Sequence, residues 1–261
     1  MATEWTDILG CEDEDVLALE QAGVKKVKDG DTLTRLPSGG LVFYQDSTHR
    51  YYAILADCRA SLTSVTSVLK VLDKPALVHA AWRLGLENLD YKVEWGKAAT
   101  RGTSVHDALE ALAVDGVAGI PDLDAYPEED RGYVSGVAAA WIALAPRVAA
   151  TEVVVADVVE GVAGRFDLLA EVDGQLTLMD LKTNARGRVY SSHFLQLAGY
   201  EALMEASGWA RPERSLVLAV GEDGSWQVQE TPDSARRAWP HVLAAFKANR
   251  ELERDWKAAT A

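Results

Sequence analysis

The stretch LMDLKTN, residues 178–184, sets Asp180 two residues before Lys182 at the end of an apolar run. A second aspartate, Asp167, closes GRFD ahead of another apolar run, and the two runs flank Asp173-Gly174. Asp-Gly favours a two-residue hairpin turn, because both central positions need positive φ and these residues tolerate it. In the register that follows, Val172 pairs with Gln175, Asp167 faces Asp180 and Arg165 faces Lys182, all on one side of the hairpin. Directly opposed residues have Cβ atoms about 4.5–5.5 Å apart, so two carboxylates repel there unless a cation sits between them. A divalent ion with oxygen ligands removes that repulsion and draws in a phosphate, with Lys182 beside it to orient a water or hold the phosphate. That is the chemistry of metal-assisted phosphodiester hydrolysis. A lone D-x-K also suits a solvated hairpin face, so the assignment depends on what converges on it.

Two helical patterns converge. RGTSVHDALEAL places His106 and Glu110 four residues apart on one helix face, where an imidazole near two carboxylates completes a metal shell. QLAGY places Gln196 and Tyr200 on one face, an amide and a phenol suited to a phosphate or a base, or to helix packing.

The elements that carry these residues follow from periodicity. DEDVLALEQAGV reads as a short acidic helix, and LVFYQ with HRYYAIL as a hairpin. From Ser61 the pattern turns helical in SLTSVTSVLKVL and, after Pro75, in ALVHAAWRLGLENL, with further helices over 98–114 and 128–144. TEVVVADVV is a buried strand, GRFDLLAEV and QLTLMDLKT form the hairpin, and YSSHFLQLAGYEALMEAS is a helix. SLVLAVG and WQVQE are strands, and 234–260 is a long terminal helix. Helices flanking a central group of strands predict a mixed α/β core, with residues 1–35 as an acidic helical segment and 36–261 as the main domain.

Composition narrows the function classes. The chain has 261 residues, 48% hydrophobic, with a net charge of -14, which argues against coating nucleic acid through a basic stripe but leaves room for a local site. The stretch 107–130 holds eight acidic residues and no lysine or arginine, whereas KTNARGR and GKAATRG gather bases. Cys11 and Cys58, expected as semi-buried thiols, cannot supply a four-cysteine zinc or iron–sulfur site. The start lacks a signal-peptide pattern and no stretch has the length of a membrane span, so a cytoplasmic protein is expected. There is no G-x-x-x-x-G-K-[ST] motif, and hence no ATP site of that kind.

RGTSVHDALE, GRFD, DLKT and QLAGY resemble, in order, the motifs of the RecB-type branch of the PD-(D/E)xK nuclease superfamily. The resemblance spans roughly His49 to Gly221 and includes a phage-type lead-in, HRYYAI through SLTSVTSVLKVLDKPAL. It implies a restriction-endonuclease-like core, a central mixed sheet flanked by helices, with a Mg²⁺ or Mn²⁺ site. His106, Asp167, Asp180 and the main-chain carbonyl of Leu181 would be ligands, Lys182 the catalytic lysine, and Gln196 with Tyr200 the family's Q-x-x-x-Y pair. Glu152 resembles a further recurrent acidic position or is a strand-edge charge, and Glu110 has the same status. The first motif is Phe-Asp where the superfamily name has Pro-Asp, and the cysteine cluster of the iron–sulfur relatives is missing.

The resemblance implies a stand-alone deoxyribonuclease acting on single- or double-stranded DNA ends, an exonuclease of the kind phages encode for recombination and replication. It would work in the host cytoplasm, alongside a recombination or replication protein, with no membrane partner. Arg101, Arg165, Arg186 and Arg188 are the expected rim of its slot, or ordinary surface arginines. Two alternatives stand beside this reading: a catalytically silent binder of DNA ends or of a recombination partner, and a structure- or sequence-specific endonuclease.

Overall fold

The computed structural model describes residues 13–24, 27–28, 30–55 and 58–260. Cys11 lies outside them. Cys58, at the turn that joins two strands, is exposed rather than semi-buried.

Helix α1 (Asp13–Gln21) leads into a meander of β1 (Thr32–Arg35), β2 (Leu41–Gln45), β3 (Arg50–Ile54) and β4 (Arg59–Ser64). Helix α2 (Val65–Val68) follows with a 3₁₀ turn (Leu69–Val71), then α3 (Pro75–Leu86), α4 (Tyr91–Asp115) and α5 (Glu128–Leu144). Next come β5 (Arg147–Asp157), β6 (Val162–Val172), β7 (Gln175–Thr183) and α6 (Ser191–Ser207). Strands β8 (Arg214–Val220) and β9 (Trp226–Glu230) and helix α7 (Asp233–Thr260) complete the fold.

Neither β1 nor β4 is foreseen by the sequence patterns. In SLTSVTSVLKVL the helical spacing fails over its first four residues, because β4 pairs with β3 and Ser64 caps the helix only afterwards, its side chain accepting from Ser67 N–H at 3.1 Å. Strand β1 pairs with β2 across the expected segment boundary at residue 35. Leu19 of α1 packs with Leu41, Phe43 and Ile54, so this acidic helix covers one face of the meander.

All nine strands join one mixed sheet, in the order β1-β2-β3-β4-β6-β7-β8-β9, with β5 on the other edge of β6. One face packs on α2, α6 and α7 through Val65, Phe166, Leu178, Leu197 and Trp239. The opposite face packs on α4 and α5 through Val105, Leu112, Val137, Leu168 and Leu181. This is the central mixed sheet flanked by helices that the sequence leads one to expect. None of the described helices is long and apolar enough to cross a membrane.

The sheet opens at one place. Strand β4 pairs in parallel with β6 only at Val162 and Ala163, and β7 pairs with it only from Leu168 to Val172. Residues 164–167 of β6, the GRFD motif, therefore lie between the ends of two strands and pair only toward β5. The hairpin register is as expected where the ladder runs, from Val172 with Gln175 to Leu168 with Met179. Asp173 and Gly174 both take positive φ, 53° and 77°. Beyond Leu168 the expectation fails: Asp167 and Arg165 have no ladder partner on β7, Arg165 pairs with Val154, and Lys182 with Ala219. The Asp167 side chain takes over the missing ladder bond, its Oδ2 accepting from Leu181 N–H at 2.7 Å.

Candidate metal and active site

The open segment of β6 is where the polar side chains gather. Asp167 is nearly buried, and His106 on α4 approaches it with Nδ1 3.5 Å from Oδ2. Glu152 on β5 joins them, so that His106, Glu152 and Asp167 each offer a ligand atom within 4.8 Å of the others. Glu152 holds φ at 52° in the middle of a strand, a left-handed conformation that costs about 1–3 kcal/mol for a non-glycine residue and persists only where the surroundings enforce it. Burial pushes its carboxyl up to about 7, and the Asp167 charge adds to this, while Arg165 and His106 act the other way.

Arg165 is the restraint on Glu152. Its Nε lies 2.8 Å from Glu152 Oε2, and its guanidinium sits over the Tyr44 ring, 5.0 Å from the centroid. Tyr44 OH in turn contacts His49 Nδ1 at 2.8 Å and donates to Asp46 Oδ1 at 3.2 Å. The β2–β3 hairpin thus holds the arginine that holds the carboxylate. Tyr44 has no functional signal in the sequence, since nothing local predicts that it packs on a residue of β6.

Asp180 sits apart from the three clustered donors. It is buried on β7, its Oδ1 accepts from Gln196 Nε2 at 3.2 Å, and Lys182 Nζ lies 2.6 Å from its Oδ2. Among the described residues that ammonium is the one group that meets the buried Oδ2. Burial holds the Asp180 carboxyl above the usual carboxylate range, with Lys182 opposing and Asp167 adding to the rise. For Lys182 burial works against the charge, but the Asp180 and Asp167 carboxylates outweigh it and keep the amine protonated. The expected Q-x-x-x-Y pair does meet here: Gln196 Nε2 also donates to Tyr200 OH at 2.8 Å.

Gly164 explains the first residue of GRFD. A Cβ built there would stand 2.5 Å from Tyr200 Cε1, so the buried Tyr200 ring occupies the space a side chain would need. His193, which the sequence did not single out, stays neutral because burial and the nearby Lys182 and Lys74 charges lower its pKa to about 4.

The remaining sequence candidates separate. Glu110 is exposed and lines the same cleft as His106, Glu152 and Asp167, a cavity of about 1510 Å³. Arg101 is held by Asp130 at 2.8 Å and lies over Tyr133, a tie between α4 and α5. Arg186 and Arg188 are exposed and have no carboxylate partner among the described residues.

The donor set fits a hard divalent cation: two carboxylates and an imidazole already converge, and the buried Asp180 carboxylate stands near enough for the Asp167 charge to act on it. No curated protein matches the chain. Among solved structures, the crystal structure of SSO0001 is similar at 16% identity, over 54% of this chain and 74% of that one, with a TM-score of 0.28. The family model described as the PD-(D/E)XK nuclease superfamily matches residues 79–260, well over half of the chain. On that match, with a mixed sheet and a converged acidic site, the chain belongs to the PD-(D/E)XK nuclease superfamily.

Proposed function

We propose that the protein is a Mg²⁺- or Mn²⁺-dependent deoxyribonuclease of the RecB-type branch, an exonuclease acting from DNA ends in phage recombination or replication. The observation that carries the nuclease reading is the convergence of His106, Glu152 and Asp167 beside the buried Asp180–Lys182 pair.

His106, Glu152 and Asp167 would hold the ion, with Asp180 beside them to complete its shell. When bound, the ion supplies Lewis-acid polarisation of a phosphoryl oxygen and acidifies a water. Lys182, kept protonated by Asp180, donates from Nζ to the attacking water or to a phosphate oxygen and stabilises the charge that develops on it. Gln196, fixed by Tyr200, holds the Asp180 carboxylate in place, and Arg165 does the same for Glu152. Both restraints cut the reorganisation needed at the moment of reaction.

The test is digestion of linear and covalently closed circular duplex DNA, with single-stranded controls, in Mg²⁺ or Mn²⁺. Wild type is compared with Lys182→Ala and Asp180→Ala. Loss of linear DNA alone, abolished by EDTA and by each substitution, is the expected result. Cutting of circles would replace the exonuclease by an endonuclease, and DNA binding without any cleavage would leave a silent binder.

A further inference from the structure

The cleft that holds the donor cluster does not end there. It shares His49, Arg50, Ser64, Ser67 and Lys70 with a second cavity of about 500 Å³ that runs under helix α7 to Arg250. The two form one groove, with Arg50 and Lys70 at the stretch they share. Five carboxylates line the first part, Asp46, Asp107, Glu110, Glu152 and Asp167, against Arg165 and the shared Arg50 and Lys70. The second part carries Arg50, Lys70 and Arg250 against a single carboxylate, Glu253.

None of these three cations is in an ion pair among the described residues. Arg250 donates instead to Thr63 Oγ1 at 3.0 Å and lies over the Phe246 ring, which fixes its guanidinium at the groove wall. The hydroxyls of Ser61, Thr63, Ser64 and Ser67 line the same stretch. In a chain of net charge -14, three unpaired cations among hydroxyls, carried by β3, the 3₁₀ turn after α2 and α7, form a local site for anionic oxygens. The three cations stand on separate elements around one short stretch, an arrangement that meets the backbone of one strand from more than one side.

We propose that this second part of the groove binds the phosphodiester backbone of a single DNA strand, through Arg50, Lys70 and Arg250, while the end of that strand lies at the donor cluster. The proposal rests on the deoxyribonuclease reading for the identity of the strand. It adds a path: the strand runs between β3, α2 and α7, past Arg50 and residues 61–71, which precede the family match, and away from Arg186 and Arg188.

The experiment is fluorescence anisotropy of a labelled single-stranded DNA 30-mer titrated with protein in Ca²⁺ over a range of NaCl concentrations. Wild type is compared with the triple variant Arg50→Ser, Lys70→Ser, Arg250→Ser and with the pair Arg186→Ser, Arg188→Ser. Each phosphate contact on a single strand contributes about 0.7 to the log–log salt slope, so the triple variant should lose about 2 from the slope and bind roughly 100-fold more weakly at 0.1 M salt. The Arg186/Arg188 pair should keep the wild-type slope. Lys70→Ser alone, which leaves the Arg250–Thr63 bond intact, should cost roughly fivefold and guards against misfolding of the triple variant.

An unchanged slope in the triple variant, loss confined to the Arg186/Arg188 pair, or no binding by wild type would each overturn the proposal. The readout is binding without turnover. A wild type that binds with the expected slope but never cleaves therefore refutes the nuclease reading and leaves the groove assignment standing.

Discussion

Gly164→Ala tests whether the GRFD glycine exists to admit the Tyr200 ring. An alanine methyl would sit 2.5 Å from Tyr200 Cε1, 3.0 Å from Cδ1 and 3.4 Å from Val65 Cγ2. Carbon–carbon contacts relax to about 3.5–4.0 Å, so the ring has to retreat by about 1 Å. Tyr200 is 5% exposed and belongs to the main core cluster, which gives it little room. Overpacking of this size costs about 1–3 kcal/mol. Gly164 does not hold positive φ, so the backbone alone would gain roughly 0.5–1 kcal/mol from alanine, and the net loss should be about 1–2 kcal/mol. With a urea slope of about 2 kcal/mol/M, the midpoint drops by roughly 0.5–1 M. The displaced phenol also pulls on Gln196 and so on Asp180, and cleavage should fall with little change in DNA affinity. In a double-mutant cycle, Tyr200→Ala removes the obstacle, and Gly164→Ala should then be neutral or stabilising. Equal destabilisation in both backgrounds would show that the glycine answers to something other than Tyr200.

Lys182→Met removes the cation paired with buried Asp180, which should cost about 3–5 kcal/mol at pH 8 and less at pH 5, where Asp180 takes up a proton; equal urea midpoint losses at the two pH values would contradict the pairing. Glu152, raised from its ordinary value to about 7, binds more protons folded than unfolded, so metal-free stability is full below about pH 4.5 and declines as pH rises through 7, by at most about 3 kcal/mol. Thermal melts should show that decline, and Mn²⁺ or Glu152→Gln should flatten it; a variant as pH-sensitive as wild type would exclude Glu152 as its source. Arg165→Met releases Glu152 from its ion pair and should weaken Mn²⁺ binding about 10–100-fold at pH 7, measured by electron paramagnetic resonance, whereas unaltered affinity would remove the β2–β3 hairpin from the metal site's support.

The sequence by itself determined the hairpin that carries the two aspartates, because Asp173-Gly174 imposes a local backbone geometry that needs no distant partner. It also determined the pairing of Gln196 with Tyr200, since residues four apart on a helix face one side whatever surrounds them. His106 and Asp167 do approach each other, and the D-x-K spacing does put a lysine beside a carboxylate.

Only the tertiary structure decided where the ladder stops. The gap between β4 and β7 along β6 arises where a long-range pairing, Thr63 and Ser64 with Val162 and Ala163, shares an edge of β6 with the local β6–β7 hairpin, and it turns Asp167 toward Glu152 and His106 rather than square onto Asp180. In sequence Glu152 is either a recurrent acidic position of the resembled family or a strand-edge charge, and only the structure joins it to the cluster, because its left-handed φ and its hold by Arg165 depend on β5, β6 and the β2–β3 hairpin meeting. The gathering of cations in the groove is equally out of reach: Arg50, Lys70 and Arg250 have no common pattern in sequence and become neighbours only when α7 packs back across α2.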